Sequence, residues 1–342
     1  MKCTKKQILI MVLLTACVLF LTNCDASNGS QKGEEVVKNN ETTKTEEVVN
    51  DDGTIDTKEV AEDNEASMPK SLSEEEEKLK EILIDIRTKK YAIDESTDVD
   101  YIIEEMIKYI GTTDSTLRDD LIYLTFDNWL FKLESNQVKN VLASLLAEDK
   151  LKYKVGEEGT DSVFTRSFSV LVIDSILRYN VNGKYLTDDD IINVHNEIMD
   201  YMSKEKDHRG RVGKKGWAHA VAHSGDALRT LAKYEVIGKE ELKEMLEAIK
   251  SKAVIDSYEY TDGEEGRLID AIKSILSRQL IDDESLKEWV GSIIDYEKTA
   301  NGNTIIQSNV KDFLKSLYYA TKYMEEGKVV GPMIEEFLQE NK

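Results

Sequence analysis

The chain is poor in several things at once. It has two prolines in 342 residues, Pro69 and Pro332, and three cysteines, all within the first 24 positions. The body from Ser71 onward therefore has no cysteine. It can form no internal disulfide, no thiolate metal site and no cysteine nucleophile. Basic charge is also scarce: 45 Lys and Arg stand against 67 Asp and Glu, for a formal net charge of −22. Such a chain lacks the basic face that displaces phosphate counterions, which excludes a nucleic-acid partner. It is equally unsuited to electrostatic docking on anionic lipid. No apolar run reaches the roughly 20 residues that a bilayer span needs. The longest, Ile8 to Leu21, stops at 14.

What stands around that run gives it a meaning. Lys2, Lys5 and Lys6 precede it, so residues 1–24 read as a secretory signal. The segment resembles a bacterial lipoprotein signal, in which a cysteine closing the apolar run is diacylated and becomes the new N-terminus. Cys24, after Leu21-Thr22-Asn23, is the expected lipidation site, because it follows the whole apolar run and begins a polar stretch. Cys17, after Leu14-Thr15-Ala16, fits the small-residue preference better but would leave Val18-Leu19-Phe20-Leu21 exposed. An ordinary cleaved signal is the other reading. The expected location is the extracytoplasmic face of the cell membrane, with the membrane as partner through an N-terminal lipid anchor.

Residues 25–70 have no aromatic residue, no Leu and no Arg, and carry 13 acids against five Lys. Such a stretch cannot bury enough apolar surface to offset chain entropy, so it is expected to be a disordered acidic tether. Residues 71–342 are different. Ser73-Glu74-Glu75-Glu76 has the pattern of a capping box, and Leu79, Ile82, Leu83 and Ile86 follow at helical spacing. Further helical windows include 162–179, 188–203, 216–234, 239–253 and 264–280. Breaks fall at Gly238, Gly263 and Asn301-Gly302. No run alternates with period two over a useful length. The fold class is all-α. About a dozen helices exceed a single bundle, and short connections favour antiparallel pairs stacked as a HEAT- or armadillo-like α-solenoid. An irregular globular helical domain is the alternative.

Chemistry concentrates in one place, Asp207 to Leu231. Three of the four histidines lie there, with Gly210, Gly213 and Gly216 before Trp217. Gly216-Trp217 is read as the opening of a helix. On such a helix His219, His223 and Asp226 fall at about 0°, 40° and −20°, so all three project from one face. Two imidazoles and a carboxylate can bind a divalent metal such as zinc, with His208, Asp207 or an acid of the Glu264-Glu265 turn as a fourth ligand. They can equally perform acid–base chemistry, with Asp226 orienting a histidine. The helix is also rich in Ala, and its histidines can simply hydrogen-bond neighbouring helices. Ala220 stands where the glutamate of a zinc-protease helix would be. Arg209, Arg211, Lys214 and Lys215 form the one basic patch, as an anion contact or as partners of surplus carboxylates.

The combination DHRG…GWAHAVAHSGDAL resembles the signature of the domain of unknown function 2785 family. Arg209-Gly210, Gly216-Trp217, His219, Ala222-His223 and Asp226 match it, while His208 replaces an apolar residue. Phe164 to Ser169, with Arg166, and Glu265-Gly266-Arg267-Leu268 are flanking pieces, and the likeness spans about residues 100–330. The resemblance implies a helical-repeat body and no established activity. It also suggests that Arg166, His219, His223, Asp226, Glu265 and Arg267 converge on a concave face, with Trp217 and Arg209 in support. Three functions follow: a module that binds a protein or ligand partner on that face, a metal- or histidine-dependent hydrolase, or a purely structural envelope protein.

Overall fold

A computed structural model describes residues 46–49, 55–58, 68–180 and 185–341. The expected signal (1–24), both lipidation candidates Cys24 and Cys17, and most of the expected tether lie outside the described residues. The chain divides into two units, residues 1–60 and 61–342. In the first, strands β1 (Glu46–Val49) and β2 (Ile55–Lys58) pair antiparallel, with Glu46 opposite Lys58 and Val49 opposite Ile55. This pairing was not expected of the acidic tether.

The second unit is all-helical, apart from one isolated bridge between Arg211 and Trp217. Its first helix, α1 (Glu74–Thr88), starts as the sequence predicts. The Ser73 hydroxyl accepts from the Glu76 N–H at 3.2 Å, and the Glu76 carboxylate accepts from the Ser73 N–H at 2.9 Å. Two of the free donors at the helix end are thus satisfied reciprocally. After α2 (Val99–Lys108), a wide-turned π-helical stretch, Thr116–Tyr123, runs directly into α3 (Leu124–Trp129). Then come α4 (Ser135–Leu145), α5 (Ser162–Asn180), α6 (Asp188–Lys204) and α7 (Ala220–Leu231). The chain ends with α8 (Lys239–Ala253), α9 (Glu264–Leu276), α10 (Asp283–Thr299), α11 (Thr304–Thr321) and α12 (Gly331–Glu340). No described helix is long and apolar enough to cross a membrane.

Alternate helices are neighbours. α7 packs against α5 on one side and α9 on the other, and α9 in turn packs against α11. In a second row α8 touches both α6 and α10. One continuous apolar core runs from Leu79 to Phe337. A small second cluster of Val163, Phe164, Val212, Ala218 and Ala220 lies where the loop before α7 meets α5. That cluster anchors the segment on which the candidate residues sit.

Candidate functional site

Two glycines set the site's geometry. Gly225, inside α7, faces the backbone of α9: a Cβ there would come within 2.9 Å of the Arg267 carbonyl carbon. Only glycine lets these two helices approach so closely. Gly216 has φ +80°, and a Cβ on it would come within 2.7 Å of Ser115 Cβ and 2.9 Å of an Asp119 carboxylate oxygen. The loop is thereby pressed against the π-helical stretch.

The helix expected from Gly216 begins only at Ala220. The loop instead folds back on itself. The N–H groups of Val212, Ala218 and His219 donate to the carbonyls of Gly216, Gly210 and Arg209. Those bonds hold His219 at φ +48°, in the left-handed region, where it caps the helix rather than joining it. The 40° spacing expected between His219 and His223 therefore does not apply. Both still face one groove, because the turn carries His219 over the start of α7. The two rings meet edge to face at 5.8 Å.

This groove has a volume of about 570 Å³ and is lined by the π-helical stretch, α3, α5, α7, the loop before α7, and the start of α9. His219, His223, Asp226, Trp217 and Arg267 all line it. The Trp217 ring stacks on His219 at 4.4 Å and 20°, and remains 36% exposed. His223 Nδ1 lies 3.1 Å from the Ser167 carbonyl oxygen in α5, and its ring meets Phe168 edge-on at 5.2 Å. Asp226 pairs through Oδ2 with Arg267 of α9, while its Oδ1 lies 3.4 Å from Arg229 Nη2.

Other expected members lie elsewhere, and the expected convergence on one face needs correction. Arg166 is fully buried and forms a two-pronged ion pair with Glu205, at 2.6 and 2.9 Å, away from the groove. Its guanidinium also donates to the Tyr153 carbonyl and the Ser162 hydroxyl. It holds the α5–α6 region together and does not line the groove. Of the Glu264-Glu265 turn, it is the buried Glu264 that faces His219, with Oε1 3.8 Å from Nε2. Glu265 is half-buried on the first turn of α9 and is not a lining residue. His208 donates to or accepts from the Ser257 hydroxyl at 2.9 Å, outside the groove. Arg209 is held by buried Asp207 at 2.6 Å and donates to the Thr160 carbonyl. Lys215 pairs with Asp161 at 2.6 Å. These two basic residues thus neutralise carboxylates.

Residues not read from the sequence complete the groove. Asp119, Asp127, Asp174, Arg178 and Arg229 all line it. Arg178 bridges Asp127 at 2.7 Å and Asp174 at 2.9 Å. Asp119 comes from a segment about 100 residues before the histidines in sequence. Its partner Arg118 is fully buried between Phe164 and Phe168, with the guanidinium 4.2 and 4.6 Å from the two rings. Nothing in the local pattern around Asp119 distinguishes it from the chain's many surface acids.

Burial controls the charges. It holds His219 down at about 4 and His223 at about 3, so both rings are neutral near pH 7. It pushes Asp119 up to about 6 against the pull of Arg118. It also raises Asp226 and Glu264. Several buried polar atoms here have no hydrogen bond: His219 Nε2, Glu264 Oε1, Asp226 Oδ1 and Arg229 Nε. Asp119 Oδ1 joins them: it is 2.8 Å from Arg118 Nη2 but poorly aligned with it. Among the described residues no three His, Cys, Asp or Glu side chains are grouped as metal ligands would be.

Fold and groove together define the second unit as an all-helical domain, among the described residues, with a partly buried cleft of neutral histidines, carboxylates and arginines. Residues 151–319 match the family model described as protein of unknown function (DUF2785), and over that stretch the chain resembles this family. The match carries His219, His223, Asp226 and Arg267, and it is shorter than the 100–330 expected, so Asp119 falls outside it. No curated protein and no solved structure matches the chain.

Proposed function

We propose that the protein is a lipid-anchored, extracytoplasmic helical-repeat module that binds a small polar ligand in the groove around His219, His223 and Asp226. One observation carries the binding role. Buried polar atoms without a hydrogen bond are costly, at about 1–3 kcal/mol each, and those of Asp119, His219, Asp226 and Arg229 all belong to residues lining one cleft. A ligand, or the water it displaces, satisfies them. The size of the cleft, about 570 Å³, suits a small molecule. The solenoid reading draws on the two rows of alternating neighbours, α5–α7–α9–α11 and α6–α8–α10. The anchor rests on the N-terminal sequence, with Cys24 as the acylated residue, Cys17 as the alternative, and residues 25–70 as the spacer.

A thermal-shift screen of small polar compounds against the full chain tests the binding role. Stabilisation by a compound, absent in Asp226→Asn, supports it. If no compound raises the melting temperature of the wild-type chain, the role is wrong. Palmitate labelling tests the anchor: incorporation should vanish in Cys24→Ala and persist in Cys17→Ala.

A second reading, acid–base hydrolysis in the same groove, is favoured by one contact. Glu264 Oε1 faces His219 Nε2 at 3.8 Å, and neither atom has another hydrogen-bond partner. A carboxylate that takes the Nε2 proton side of an imidazole leaves Nδ1 as the base. Hydrolysis of a chromogenic ester or glycoside, abolished by His219→Gln and reduced by Glu264→Gln, would support this reading. Activity unaffected by either change would remove it.

A further inference from the structure

The ligand's chemical class is written into one corner of the groove. Asp226 Oδ1 and Arg229 Nε are both buried, and neither makes a hydrogen bond. The first can only accept and the second can only donate. They belong to one turn of α7 and form one wall, with Arg229 Nη2 3.4 Å from that same Oδ1. A group that serves both must donate to a carboxylate and accept from a guanidinium at once. An ionised carboxylate ligand cannot donate to Asp226, and a phosphate can do so only through a proton it retains. An ammonium cannot accept from Arg229. A hydroxyl does both.

A second acceptor lies on the same helix face. The His223 proton is committed to the Ser167 carbonyl through Nδ1, so Nε2 keeps a bare lone pair. Beside these polar atoms the groove offers apolar faces from Phe168, Leu171 and Trp217. Alternating hydroxyls and C–H faces are the surface of a sugar. Of the two arginines paired with Asp226, Arg267 holds Oδ2 and is 50% exposed, so it can move aside while Arg229 stays in place.

Resting on the reading that this groove binds a small polar ligand, we infer that the ligand is a neutral polyhydroxylated compound of the sugar class, held by Asp226, Arg229 and His223.

The test is calorimetric titration of the full chain. One set of probes is glucose, galactose, mannose, N-acetylglucosamine and ribitol. The other is phosphate, citrate, putrescine and glutamine. At least one hydroxylated probe binds, and Asp226→Asn weakens it tenfold or more. Arg229→Lys, which keeps the charge but removes the Nε donor, weakens it as well. Should Asp226→Asn fail to fold, the Arg229 variant carries the test, since its side chain is partly in solvent. Binding by the anions, the diamine or the amide, but by no polyol, overturns the ligand class and leaves the groove reading standing. Polyol binding indifferent to both substitutions overturns the inference too. No binding by any probe overturns both.

Discussion

Nδ1 of His223 lies 3.1 Å from the main-chain carbonyl oxygen of Ser167, and this contact fixes where the ring's proton sits. A carbonyl can only accept, so Nδ1 is protonated and Nε2 is not. Burial holds the ring neutral down to about pH 3. Nitrogen-15 NMR should therefore show the Nδ1–H tautomer with no titration between pH 5 and 8. His223→Ala should cost about 2–4 kcal/mol, from the lost bond and the cavity left between α5 and α7. A ring that titrates near pH 6.5 would refute the buried, bonded histidine.

Acid should destabilise the fold through the same rings. His219, at about 4, and His223, at about 3, lie below their unfolded value of 6.5. As pH falls below 6.5 the unfolded chain takes up protons that the folded chain refuses, so stability falls until the folded values are reached. The loss is on the order of 1–3 kcal/mol per ring between pH 6.5 and 4. Asp119 works the other way: its raised value of about 6 favours the folded state below pH 4 and loses that contribution as pH rises through 6. Denaturant melts at pH 7 and 4.5 check the balance. His219→Gln with His223→Gln should flatten the pH dependence, and an unchanged slope would sink this account.

Local signals in the sequence were enough for much of the fold. The window 239–253 coincides with α8, and the Ser73–Glu76 box caps α1. Gly263, at φ +83°, stands immediately before α9. Each of these rests on residues close together in the chain, within a single helix or its cap. The site was less legible because its geometry is made at long range. His219 leaves the helix because three loop N–H groups find carbonyls up to ten residues away. Glu264 rather than Glu265 meets His219, although both stand in the first turn of α9. Asp119 enters through the Gly216 contact, and Arg166 leaves through Glu205, which lies 39 positions further on. No pattern of period or spacing encodes those partners.

Three glycines separate steric need from helix propensity. Gly216→Ala places a Cβ 2.7 Å from Ser115 Cβ at φ +80°, and Gly225→Ala places one 2.9 Å from the Arg267 backbone. Both should destabilise by about 2 kcal/mol or more and disturb the groove. Gly266, inside α9, meets nothing within 4 Å. Gly266→Ala should stabilise by about 0.5–1 kcal/mol. Chemical denaturation of the three variants decides the matter. Equal effects at all three positions would show that close approach is not what glycine provides at 216 and 225.

Arg166 and Glu205 should prove structural and not functional. Both side chains are almost wholly buried, at 0% and 2% exposure, and each is the other's neutralising partner. The Glu205 carboxylate also accepts from the N–H groups of Lys206 and Asp207, which shapes the start of the site loop. Arg166→Met alone leaves a buried, uncompensated carboxylate and should cost about 3–5 kcal/mol. Arg166→Met with Glu205→Leu removes both charges and should recover much of that loss. The residual cost then reports the two lost loop bonds together with the bonds Arg166 made to the Tyr153 carbonyl, the Ser162 hydroxyl and neighbouring carbonyls, about 1 kcal/mol each. Equilibrium denaturation of the single and double variants makes the comparison. A double variant less stable than Arg166→Met alone would mean that Glu205 supports the loop independently of its arginine.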